Sequence, residues 1–169
     1  MANKIYVNPE TTIEWLNTGG DLDMDLGGLA ADGVQMGAYH DQGAGVRAHR
    51  WGFEFLVDGF DTAPIVDEVV LLYISESLAT TNFDGNPTTD PTPTAEGTMT
   101  TDQLKNCGLP IGVATVYSTT AGNELKITGE CIITSRYFSP VVHNNTADAL
   151  LSTADAHSLK MWPLPDELQ

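Results

Sequence analysis

The chain has 169 residues, 41% hydrophobic and 18% charged, which suits one soluble globular domain with a sizeable core. Seven Lys and Arg stand against 23 Asp and Glu, for a formal net charge of −16. Phosphate backbones and anionic lipid surfaces select for basic residues, so this balance disfavours nucleic acid and membrane as partners, and no apolar run approaches the roughly 18 residues of a membrane helix.

In chain order, the first strand signals are KIYV (4–7) and TTIEWL (11–16), separated by Asn8-Pro9. The stretch DLDMDLGG (21–28) places Asp21, Asp23 and Asp25 at every second position. A calcium loop needs a glycine after the third acid, but residue 26 is Leu26, and position twelve is Asp32 instead of the usual Glu. Strand alternation fits better, with the three Asp on one face and Leu22, Met24 and Leu26 on the other, so a metal-free strand is expected over 21–26. VRAHRWGFEFL (46–56) sets His49, Trp51, Phe53 and Phe55 opposite Arg50, Gly52 and Glu54. DEVVLLYISES (67–77) is apolar on both faces from Val69 to Ile74, the pattern of a central buried strand. IGVATVYST (111–119), ELKITGECIITSRYF (124–138) and HSLKMW (157–162) complete the series.

Short helical signals occur at 100–107, with Thr101 or Asp102 as cap, and within 146–156. Turn signals such as Asp58-Gly59 and Ala121-Gly122-Asn123 separate the strands. About eight strands at this spacing predict an all-β fold over 1–169, an antiparallel β-sandwich of jelly-roll type.

The segment 78–104 is different, being rich in Thr, Pro, Asp and Gly, with no Lys or Arg between Arg50 and Lys105. A loop this long inside a compact domain is uncommon. It is expected to project towards a neighbouring subunit, with Phe83, Asp84 and Asn86 as partner contacts; the alternative is that Phe83 folds back to cover its own core. The end, MWPLPDELQ (161–169), carries Met161, Trp162, Leu164 and Leu168, too much apolar surface to leave wet. Pro163 and Pro165 each remove a backbone donor, so this stretch reads as a docking element and not as a central strand. Trp162 and Leu164 are its candidate contacts, on the chain's own sandwich or on an adjacent copy.

No constellation for catalysis emerges. The chain lacks G-x-S-x-G, a phosphate loop and any zinc spacing among His40, His49, His143 and His157. Cys107 and Cys131 are read as free thiols, and no cofactor is expected. Asn144-Asn145-Thr146 matches a glycosylation sequon, read as chance because the first residues lack a secretion pattern. Trp15, Trp51 and Trp162 are candidates for a sugar-stacking platform, with Trp51 assigned to the core.

Three stretches together carry a resemblance: GAGVRAHRWGFEFLVDGFDTAPIVDEVVLLYISES (43–77), GECIITSRYFSPVVHNNTADAL (129–150) and HSLKMWPLPDELQ (157–169). Their order resembles small virion structural proteins of tailed bacteriophages, and capsid decoration (cement) proteins in particular. The resemblance implies a β-sandwich made in the host cytoplasm and carried on the virion, without catalytic residues. Its partners would be the major capsid protein or other virion subunits, and copies of itself, a trimer among the candidates. A tail or baseplate component is the alternative in that setting. A carbohydrate-binding or depolymerising module of a host-contacting fibre is the alternative of another class.

Overall fold

Period-two alternation becomes two stacked sheets. The computed structural model describes residues 11–45, 47–80, 83 and 96–164. The strand expected at 4–7, the loop residues Asp84 and Asn86, and the tail from Pro165 onward lie outside them. Eleven strands occur among the described residues: β1 (Ile13–Leu16), β2 (Leu22–Asp23), β3 (Gly33–Met36), β4 (His40–Asp41), β5 (Arg50–Val57), β6 (Val69–Ser77), β7 (Gly97–Met99), β8 (Gly112–Thr115), β9 (Leu125–Ile132), β10 (Tyr137–Asn145) and β11 (Ser158–Leu164). A single turn of helix, α1 (Thr101–Leu104), runs into a 3-10 turn at Lys105–Cys107.

The five-stranded sheet has the order β2-β1-β11-β5-β9, and the other has the order β7-β3-β10-β6-β8 with β4 also on β10. All pairings are antiparallel except the two-residue contact of β2 with β1. The core between the sheets is aromatic. Phe138 of β10 lies 5.9 Å from Trp15 of β1 and 5.2 Å from Trp51 of β5, centroid to centroid, with His40 of β4 edge-on to both Phe138 and Trp51. Both indoles are fully buried, and each N–H finds a carbonyl, Ala38 O at 2.8 Å for Trp15 and Ala48 O at 3.1 Å for Trp51.

A second, smaller core lies on the far face of the six-stranded sheet. Val34, Met36, Tyr39, Tyr73, Tyr137 and Val141 are covered there by Phe83, Met99 and Leu104. Both faces of β6 are therefore buried, as its doubly apolar pattern requires.

Several boundaries differ from the sequence reading, each for a local reason. The strand expected over 21–26 shrinks to β2: Met24 N–H makes the last ladder bond, to Leu16 O where β1 ends, and Ala38 N–H, from between β3 and β4, donates to Asp23 O. The run 124–138 is not one strand. After β9 the chain crosses to the other sheet at a corner where Glu76 Oε2 accepts the N–H groups of Thr134 and Ser135 at 2.8 and 2.7 Å. No helix forms within 146–156, because Asn144 Nδ2 donates to Leu29, Ala30 and Asp148 carbonyls while Thr146 Oγ1 bonds Asn144 Oδ1, and such local bonds compete with a helix. The cap of α1 is Thr100, in a reciprocal capping box with Gln103.

Pro140 sits in β10, between β6 and the β3–β4 side, where a proline is out of place in a ladder. Its carbonyl still accepts Gly37 N–H at 2.9 Å. The missing donor is replaced by its neighbour, as the fully buried Ser139 hydroxyl donates to Gly37 O. At Pro163 of β11, in the five-stranded sheet, the strand continues because β1 pairs only as far as Met161 and, among the described residues, Pro163 is paired with β5 alone. Ser139→Ala leaves the Gly37 carbonyl buried without a donor and is expected to cost about 1–3 kcal/mol in urea unfolding. With Pro140→Ala as background the loss shrinks, since residue 140 then supplies its own N–H; equal losses in both backgrounds would refute this account.

Candidate functional site: the outer face of the five-stranded sheet

In β1, β11, β5 and β9, alternate side chains enter the core and the others form one open face. Every charged residue of these four strands lies on it, and all six are paired. Lys160 Nζ meets Glu14 at 3.1 Å, Lys126 Nζ meets Glu54 at 2.9 Å, and Arg50 meets Glu130 at 2.7 Å. Such exposed pairs are worth little individually. Their collective effect is a face with three positive and three negative charges on a chain of net charge −16.

At one end of this face the apolar residues gather. Trp162 and Gly52 are opposed in register, and the half-buried indole lies on the glycine: a Cβ at residue 52 would come within 2.5 Å of the ring. Glycine is required here by close approach, because any side chain would lift the indole off the sheet. In the next row Leu164 opposes Arg50, which opposes Ile132, and Ile132 is 69% exposed. The site is thus an aromatic plate held flat, flanked by two aliphatic side chains and the Arg50–Glu130 pair.

Of the residues expected to contact a partner, Trp162 and Leu164 are brought together here. Phe83 is not: it is buried against its own chain, stacked on Tyr39 at 5.5 Å between centroids. Its apolar surface is covered by its own chain, as in the reading that folds Phe83 back onto its own core. The three-tryptophan platform is likewise reduced to Trp162, since Trp15 and Trp51 are both in the core. Gly52, Ile132, Arg50 and Glu130 join the site through strand register, which the sequence did not disclose.

The other polar groups serve the loops. Asp21 accepts Glu14 N–H and Asp25 accepts Gly27 N–H, so two of the three alternating aspartates hold their own turns. Asp155, in left-handed backbone, takes both the N–H and the hydroxyl of Thr18, which lowers its pKa. Bidentate bonding to Arg136 lowers that of Asp41. Cys107 and Cys131 are not joined in a disulfide, and burial pushes the Cys131 thiol up to about 12. Asn144 of the sequon is fully buried and hydrogen-bonded on both side-chain atoms. His143 bonds Asp32 through Nε2 at 2.8 Å.

No protein-family model matches the chain, and no curated protein matches it.

Two outcomes follow from these contacts. His157 is buried as neutral imidazole, its Nδ1 accepting Asp58 N–H and its Nε2–H donating to Leu151 O, and desolvation lowers its pKa. The unfolded chain then binds a proton that the folded one refuses, so this contribution is complete above the ordinary value of about 6.5 and is lost as pH falls below it. His157→Gln is expected to reduce the drop in Tm between about pH 7.5 and about pH 5.5; an unchanged drop would exclude His157 as its source. Gly52→Ala must displace the indole. It is expected to increase acrylamide quenching of the Trp162 component of fluorescence and to lower stability by about 1–3 kcal/mol, and unaltered quenching would show that the ring does not rest on Gly52.

Proposed function

We propose that this chain is a non-enzymatic structural protein of a virion, a capsid decoration protein of jelly-roll type that binds the outer head surface. Its activity is adhesion. The observation that carries this reading is Trp162, fixed on Gly52 outside the core and flanked by Leu164, Ile132 and Arg50. Tryptophan and arginine beside aliphatic surface are the composition of interface anchors, and an anchor held rigid before binding loses little entropy on docking. Symmetric multivalency compounds weak contacts of this kind over a lattice.

A carbohydrate-binding module of a fibre is the second reading, favoured by the same half-exposed indole lying between charged hydrogen-bonding side chains. Immunogold electron microscopy of particles from the source of the sequence separates the readings. Label distributed over heads is the expected result. Label confined to tails moves the chain to the tail or baseplate, and Trp162-dependent retention on host polysaccharide moves it to a fibre module.

A further inference from the structure

On the outer face formed by β1, β11, β5 and β9 this acidic molecule presents balanced charge to its own kind. Three bases and three acids cancel across β1, β11, β5 and β9, so the remaining four basic and twenty acidic residues carry the whole net charge of −16. Two copies meeting through any strongly acidic surface bring like charges together; two copies meeting through this face do not. We propose that the occupant of this face is a second copy of the chain, seated face to face about Trp162, Leu164 and Ile132. The inference rests on the adhesive reading above and names its partner.

The ion pairs favour this occupant further. Each face offers both signs in fixed rows, so a two-fold rotation can set Lys160, Lys126 and Arg50 of one copy near Glu14, Glu54 and Glu130 of the other. The exposed Asp21 and Asp23 lie beside β1 along the β2 margin, and their charge displaces the second copy towards β11, β5 and β9, where the apolar residues are. Four strands about 4.8 Å apart and about seven residues of about 3.3 Å rise span roughly 450 Å² per copy. The roughly 900 Å² buried in total falls below the about 1,200 Å² of a stable interface, so the contact is weak, and it is opposed by long-range repulsion that salt removes.

The test is sedimentation equilibrium of the full chain at about 20 mM and about 500 mM salt. A mass above the 18.1 kDa monomer that rises with salt is expected. Ile132→Asp and Trp162→Ser should be monomeric at both salts, with circular dichroism unchanged; Ile132 is exposed, so its variant keeps the test valid if Trp162→Ser does not fold. Lys160→Glu should associate less at low salt and recover at high salt. Three results would overturn the inference: a monomer at both salts, association that weakens with salt, or association retained in Ile132→Asp. Trp162-dependent binding of a neutral polysaccharide by a protein that stays monomeric overturns it in favour of a sugar site. A monomer that still labels virion heads leaves the proposed function standing without this inference; a dimer absent from virions does the reverse.

Discussion

Repulsion among 23 acidic residues, with only seven bases to offset them, is the constraint that this fold has to answer. It does so by using carboxylates as hydrogen-bond acceptors for backbone. Asp25, Asp41, Asp61, Glu68, Glu76, Glu96 and Asp155 each accept at least one loop N–H, and Asp21 accepts that of Glu14 in β1. Charge-assisted bonds of this type are the stronger ones, and in irregular segments they supply the partner that a ladder supplies in a sheet. Glu76 shows the consequence most clearly: by holding Thr134 and Ser135 it lets the chain leave one sheet and enter the other.

With the loops held by acids, the sheets are free to be joined by aromatic packing. Phe138 reaches from the six-stranded sheet between the two tryptophans of the other. Because Trp15 and Trp51 both point inward, alternation forces Glu14 and Arg50 outward on the same strands, and with them the paired charges of the outer face. Core and candidate site are therefore two sides of one periodicity. Trp162 stands apart from it as the tryptophan turned out of the core, and Gly52 is the vacancy in the facing strand that receives it.

Much of this was legible in the sequence. β5, β6, β9 and β11 are half-buried or fully buried strands whose alternation or apolar runs survive in one dimension, and the all-β character follows from them. β10 was concealed by Pro140, which argues against a central strand unless a neighbouring hydroxyl supplies the missing donor. β3 was concealed by the glycines around it, and the end of β9 by alternation that runs on through Ile133 while the backbone changes sheet. For the site, Trp162 and Leu164 stood out as apolar residues beyond what the last strand needed. Their setting did not, because the contact of Trp162 with Gly52 spans 110 positions and depends on register. Phe83 was visible as an anchor, but its direction was not, since an aromatic in a polar loop serves its own core as readily as a partner.

The central claim is that association uses the neutral face and no other exposed apolar surface. Hydroxyl-radical footprinting tests it directly, by comparing dilute protein with the self-associated or particle-bound state. The account predicts that oxidation of Trp162 and Ile132 falls on association while that of Leu109 and Tyr117, 86% and 68% exposed at the β8 side of the fold, stays constant. Protection of Leu109 and Tyr117 with Trp162 and Ile132 unchanged would contradict it.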